Sequence, residues 1–259
     1  MTELTVALVQ TELLWEQPQA NRRQLERQLA GVAGQAELMV LPEMFNRGFS
    51  MSASGAETMA GPTVQWLRHL AGELGAAICG SLAIAEGDAL FNRFVMACPD
   101  GELHHYDKRH LFRMGGEHER YRGGRSQQLI AWRGWRICPL VCYDLRFPVW
   151  SRNRGDRDLL VYVANWPAAR RMHWRQLLIA RAIENQCAVV GVNRVGVDGG
   201  GVDYSGDSLA VDARGAVLVD AGSAPGIHLA RLSLRDLRQY RDEFPVALDA
   251  DDFTISADG

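Results

Sequence analysis

The stretch "PLVCYDLRFP", Pro139–Pro148, decides how the rest of the chain is read. An apolar run, Leu140 and Val141, ends in Cys142. Tyr143, Asp144 and Arg146 follow, and Pro148 closes the turn. A short apolar run bounded by turn signals reads as a buried strand. In α/β folds, ligands and reactive groups gather at the carboxyl ends of such strands. A thiol at this point is therefore a candidate for chemistry as well as for packing.

Working outward, "WRICPLVCYD" (135–144) is one strand and "DLLVYVANWP" (158–167) the next. "RMHWRQLLIARAIENQC" (171–187) is a helix, and "AVVGVNRVG" (188–196) a strand. Upstream, "LTVALVQ" (4–10) and "ELMVLPE" (37–43) read as buried strands. Between them "NRRQLERQLAGVA" (21–33) carries Leu25, Leu29 and Val32 at helical spacing. "PTVQWLRHLAGEL" (62–74) is a helix opened by proline. "AAICGSLAIAE" (76–86) and "NRFVMACPDGELHHYDK" (92–108) follow, the latter with a hairpin signal at "PDG". "SLAVDARGAVLVDAG" (208–222) reads as a hairpin turning at "ARG", before a strand near 226–232 and a helix near 233–241. This mixture of βα units and hairpins predicts an α/β fold, with one mixed sheet or two sheets covered by helices. Two sheets packed together would explain why so many strands are apolar on both faces.

The chain has 259 residues and is 47% hydrophobic, enough for one sizeable α/β domain over 1–259. No linker, low-complexity block or clear repeat divides it. A net charge of −3 gives no reason to expect a nucleic-acid surface. The arginines between Arg113 and Arg125 read as a solvated loop or a subunit contact. The N-terminus lacks a signal-peptide pattern and is expected to be mature sequence. No apolar run approaches the ~18 residues that span a bilayer, so no membrane partner is expected. The five cysteines are odd in number and match no disulfide or zinc spacing. Reduced thiols in a cytoplasm fit best.

Three strand-like runs end in a reactive residue: Glu43, Lys108 and Cys142. Singly, each has an ordinary reading as a helix-start acid, a solvated amine and a packed thiol. Together they suit one reaction. A free thiol has a pKa near ~8.5, so attack on a carbonyl needs a base. Glu43 can take that proton, and Lys108 between them offsets the repulsion of carboxylate and thiolate. The same ammonium can donate to a tetrahedral oxyanion, with the backbone N–H of Tyr143 as second donor. Loss of one such donor typically costs ~10²–10³ in rate.

"LPEMF", "YDKRHLF" and "LVCYDLRFP" resemble the three signature segments of the nitrilase superfamily, the carbon–nitrogen hydrolases with a Glu–Lys–Cys triad. "YDKRHLFRM", "WRGWRICPLVCYDLRFPVWSRN", "VYVANWPA" and "ARAIENQ" are similar to the bacterial omega-amidase (2-oxoglutaramate amidase) branch. The resemblance implies a four-layer α-β-β-α sandwich, with subunits paired into a homodimer or larger assembly. It implies Glu43 as general base, Lys108 as oxyanion stabiliser and Cys142 as nucleophile. It also implies a second glutamate after the lysine segment. Glu117 and Glu119 are the candidates, and the spacing to Gly124 favours Glu117, which would orient Lys108.

For the substrate, the resemblance implies that Arg146 holds a far carboxylate while Cys142 attacks the amide at the other end. A bidentate grip of this kind suits a guanidinium. The competing reading pairs Arg146 with Asp144 or another acid. Trp166, and less strongly Phe45, are candidates to wall the pocket, with a place in the core as the equal alternative for each, and Gly48, Gly115 and Gly116 are candidates to let loops move. The expected activity is hydrolysis of the terminal amide of a small dicarboxylate monoamide through a thioester, with neither metal nor organic cofactor. A nitrilase or an N-carbamoyl amide hydrolase would use the same triad, and a catalytically silent binding protein would keep only the fold.

Three other chemistries fit less well. His104 and His105 are adjacent, and a strand would turn them to opposite faces, which disfavours a metal site. His110 and His173 are candidates for a Cys–His pair, but the surroundings of Cys142 do not match a papain-like signature. "GVDGGGVDYSG" (196–206) lacks the order of a dinucleotide-binding turn and reads as a loop.

Overall fold

In the computed structural model, residues 3–256 are described. The first half holds β1 (Glu3–Gln10), α1 (Pro18–Ala30), β2 (Leu38–Val40), α2 (Pro62–Leu74), β3 (Ala77–Glu86), β4 (Ala89–Ala97) and β5 (Leu103–Asp107). There follow α3 (Glu117–Arg120), β6 (Ile130–Trp132), β7 (Trp135–Val141), α4 (Pro148–Ser151), β8 (Leu159–Ala164), α5 (Arg171–Asn185) and β9 (Ala188–Asn193). The chain continues through β10 (Val195–Val197), β11 (Asp203–Ser205), β12 (Leu209–Val211), β13 (Val217–Asp220), β14 (Gly226–Ser233) and α6 (Leu234–Glu243).

These strands make two six-stranded sheets, ordered β14-β1-β2-β3-β4-β5 and β13-β12-β9-β8-β7-β6. Each has three parallel strands at its centre, β1-β2-β3 and β7-β8-β9, flanked by antiparallel ones. Alternation along β1 shows why two sheets form rather than one. Leu4, Val6 and Leu8 join the core shared with Ile137, Leu140 and Val161 of the second sheet. Ala7 and Val9 face the other way, into a core with Leu25 and Leu29 of α1 and Val64 and Leu67 of α2. Trp174, Leu178 and Ala182 of α5 cover the outer side of the second sheet. The layers are thus α-β-β-α, and each fully buried leucine in them contributes ~1.5–3 kcal/mol over its exposed state.

Helix limits follow from local chemistry. Pro18 and Pro62 open α1 and α2, where the missing N–H costs no intrahelical bond. Gly75, at φ 63°, ends α2 in the left-handed region. Two elements differ from the sequence reading. A two-residue turn at Arg133 (φ 50°) and Gly134 (φ 83°) joins β6 to β7, a hairpin whose first strand the sequence reading passed over. The glycine-rich segment 196–206, expected as a loop, is a loop over 198–202 whose flanks pair as a short antiparallel ribbon, β10–β11. Asp198 Oδ1 stabilises its turn by accepting from the N–H groups of Gly200 and Val202, at 2.8 and 3.0 Å.

Candidate active site

β7 runs parallel to β8 and stops at Val141, and Cys142 begins a 3₁₀ turn through Arg146. Cys142 has φ 45°, a left-handed conformation that a non-glycine residue adopts only where its surroundings over-determine it. The buried Asp144 carboxylate supplies that constraint. It accepts from Val141 N–H at 3.0 Å, Tyr106 O–H at 2.8 Å and His110 N–H at 3.0 Å. The turn bearing Cys142 is thereby tied to the segment following Lys108.

Glu43 lies beyond the end of its strand rather than at it. β2 stops at Val40, Leu41 N–H still bonds Cys79 O at 2.7 Å, and Pro42 has no N–H with which to continue the ladder. Lys108 directly follows β5. Its N–H donates to Asn92 O at 3.0 Å, and its carbonyl accepts from Gly124 N–H at 2.9 Å. A side chain at Gly124 would overlap the backbone carbonyl of Asp107, so only glycine lets the segment after α3 lie this close. Glu117 is the first residue of α3 and fully buried, while Glu119 is exposed.

The four predicted residues meet. Lys108 Nζ donates to Glu43 Oε1 at 2.9 Å and to both oxygens of Glu117, at 3.0 and 2.9 Å. The side chains of Glu43, Lys108 and Glu117 are wholly buried. Cys142 Sγ faces the carbonyl of Asn165 at 3.9 Å. Burial pushes the Cys142 thiol well above its ordinary range; the nearby Glu43 carboxylate raises it further, both by charge and as a hydrogen-bond partner, and Lys108 pulls against both. Burial alone would weaken the Lys108 ammonium, but Glu117 and Glu43 outweigh it and hold the proton on the amine. Burial also raises Glu117, with Lys108 opposing. The thiol thus lies beside an acceptor for its proton, the arrangement that general-base assistance of its attack requires.

Two asparagines that the sequence reading missed complete the site. Asn92 Nδ2 donates to Glu43 Oε1 at 2.7 Å and Glu117 Oε1 at 2.9 Å, while its Oδ1 accepts from Ser81 at 2.8 Å. Asn165 N–H donates to Glu43 Oε2 at 2.8 Å, and its Nδ2 to the Glu43 carbonyl at 2.6 Å. The signal for Asn92 was a lone amide in the apolar strand "ALFNRFVMA"; Asn165 stands beside Trp166 in a motif already noted.

A cavity of about 450 Å³ opens onto Cys142 and Lys108, with Tyr143, Arg146 and Trp166 in its wall. Tyr143 packs edge-on against Phe112 and Phe147. Arg146 lies over the Trp166 ring, 4.8 Å from its centroid. Asp144 is engaged elsewhere, and among the described residues no carboxylate lies within 4.0 Å of Arg146. Trp166 is buried, its Nε1–H donating to Arg170 O at 2.8 Å. Phe45 does not wall this cavity: it packs with Trp66 in the core between the first sheet and its helices. Gly115 lines the cavity. His110 is bonded to Asp144 at 2.8 Å and stacked on Phe147, and His173 bonds Arg146; neither partners the sulfur.

A buried acid–ammonium–thiol cluster beside a small cavity suits nucleophilic attack on a carbonyl carbon with internal proton transfer. Comparison with known proteins agrees. The family described as carbon-nitrogen hydrolase matches residues 5–242. Omega-amidase YafV of Escherichia coli (strain K12) is 48% identical over 256 residues, 98% of this chain and 100% of that one. The 2-oxoglutaramate amidase of Bacillus subtilis (strain 168) is 31% identical over 248 residues, 93% of this chain and 95% of that one. Among solved structures, XC1258 from Xanthomonas campestris is described as a CN-hydrolase superfamily protein with an arsenic adduct in its active site. It matches with a TM-score of 0.97 at 47% identity, over 99% of this chain and 100% of that one. Motifs, sandwich, buried cluster and these likenesses lead to one assignment: the chain belongs to the carbon–nitrogen hydrolase family.

Proposed function

We propose that this hydrolase cleaves the terminal amide of a small dicarboxylate monoamide, such as 2-oxoglutaramate or succinamate, to the acid and ammonia. One observation carries the substrate class. Arg146 shares a cavity with Cys142 yet has no carboxylate partner among the described residues, so it is free to grip one on the substrate. The relatives named omega-amidase and 2-oxoglutaramate amidase support the same reading.

In the proposed cycle Cys142 Sγ attacks the amide carbon as its proton passes to Glu43. Lys108 and the Tyr143 N–H stabilise the oxyanion. Collapse breaks the C–N bond, and Glu43 returns the proton to the departing ammonia. Water then attacks the thioester, giving its proton to Glu43, and collapse releases the acid and restores the thiol. Glu117 holds Lys108 in place, and Trp166 limits the length of the chain that fits.

The chain acts as a single domain and as a homo-oligomer, a dimer or larger, in the cytoplasm. The five free, buried cysteines fit a reducing compartment. Among the described residues no helix is long and apolar enough to cross a membrane.

The test is ammonia release from succinamate, 2-oxoglutaramate, butanamide, a short nitrile and an N-carbamoyl compound. The ω-amides should turn over fastest, and Arg146→Lys should cost them about 10- to 100-fold in kcat/KM, the worth of a hydrogen bond to a charged group, while costing butanamide far less. Faster nitrile turnover, or equal losses on both amides, overturns the assignment.

A further inference from the structure

Arg146 is held in an unusual way for a cavity-lining arginine. Its Cζ lies over the Trp166 indole, 4.8 Å from the ring centroid, and Nη2 lies 3.0 Å from His173 Nδ1. No other hydrogen bond to the Arg146 side chain occurs among the described residues. A guanidinium has only donors. In this contact Nη2 donates and His173 Nδ1 accepts. His173 stands in the first turn of α5, a different element from the turn that carries Arg146.

We propose that His173 is a positioning residue for substrate-carboxylate recognition: it fixes the rotation of the Arg146 guanidinium on the Trp166 face. This rests on the carboxylate-binding reading of Arg146 given above. The indole attracts the guanidinium but does not by itself fix its orientation, because a cation–π contact depends mainly on the position of the charge over the ring. Bidentate pairing depends on that orientation. The hydrogen bond from Nη2 to His173 supplies that orientation and leaves the other N–H groups for the ligand.

The experiment measures kcat and KM for succinamate and for butanamide, which lacks the carboxylate, with wild type, His173→Leu, His173→Asn and Arg146→Lys. His173→Leu should raise KM for succinamate about 3- to 10-fold relative to its effect on butanamide, the worth of one ordinary hydrogen bond, with kcat for succinamate little changed. His173→Asn, whose Oδ1 can stand where Nδ1 stands, should recover most of that loss. Equal effects of His173→Leu on the two substrates, or an asparagine variant no better than the leucine variant, overturns the proposal. Arg146→Lys separates the two levels of the reading. If it discriminates between the substrates and the His173 series does not, only the role of His173 falls. If it weakens both substrates alike, the carboxylate reading of Arg146 falls and this inference falls with it.

Discussion

Glu117 grips Lys108 with both carboxylate oxygens, at 3.0 and 2.9 Å, while its Oε2 also accepts the Phe112 N–H at 2.6 Å. One acid thus fixes the ammonium and the loop that covers it. Glu117→Gln keeps the shape but removes the charge and turns an N–H group toward the ammonium. We expect kcat to fall ~10²–10³, the scale for disturbing an oxyanion donor, with KM within a few-fold. Steady-state kinetics on succinamate decide it; an unchanged kcat would show that Glu117 does not position Lys108.

The thiol supplies a second prediction. Burial and the Glu43 charge both hold the proton on Cys142. Iodoacetamide inactivation should therefore keep accelerating at pH values above the ~8.5 of a free thiol. Glu43→Gln removes a charge that holds the proton, and should shift the profile to lower pH. A wild-type rate already level by pH 7 would contradict this account.

Close approach at Gly124 is directly testable. Gly124→Ala sets a methyl group against the Asp107 carbonyl, beside the backbone that carries Lys108. Overpacking of this kind costs ~1–3 kcal/mol, and the displacement should lower kcat as well. Thermal unfolding and turnover measured on the same preparation test both; a variant with wild-type values of each would remove the constraint.

Acid stability should depend on Asp158. Burial would raise its carboxyl, but hydrogen bonds and charge from Arg136, with Arg241, hold it below the usual value. A lowered folded pKa means that the contribution is present above the unfolded value, near ~3.9, and is lost as pH falls through the folded one. Asp158→Asn should cost about 2 kcal/mol at pH 7, the worth of hydrogen bonds to a charged group. In urea unfolding, the gap between wild type and variant should narrow below about pH 4. A gap constant down to pH 2.5 would refute the linkage.

Much of the site was legible because its chemistry sits at strand ends, where apolar runs give way to Glu43, Lys108 and Cys142. The layer count was not, since an apolar strand reads alike against helices or a second sheet; the resemblance supplied the sandwich, and the alternation of Leu4, Val6 and Leu8 against Ala7 and Val9 gives its physical basis. Phe45 stood open between pocket wall and core, because an aromatic two residues from an acid does not reveal which side of a turn it occupies; it is core. Asn92 and Asn165 were missed because their bonds join residues 49 and 122 positions apart: Asn92 stands alone in an apolar strand, and the motif around Asn165 drew notice for Trp166 instead. The Arg133–Gly134 turn was readable in principle, since glycine after one other residue between two apolar runs is a hairpin signal.

Asn165 follows a strand of one sheet and Glu43 a strand of the other. The first sheet holds Oε1 of the proton acceptor through Lys108 and Asn92, and only the second sheet, through Asn165, holds Oε2. A chain refolding from denaturant could rebuild much of its secondary structure and still be inert, carrying a thiol with nothing to relieve it of hydrogen. Recovery of turnover would then time the meeting of the two sheets, and a nascent chain would stay chemically quiet at least until Asn165 had been made.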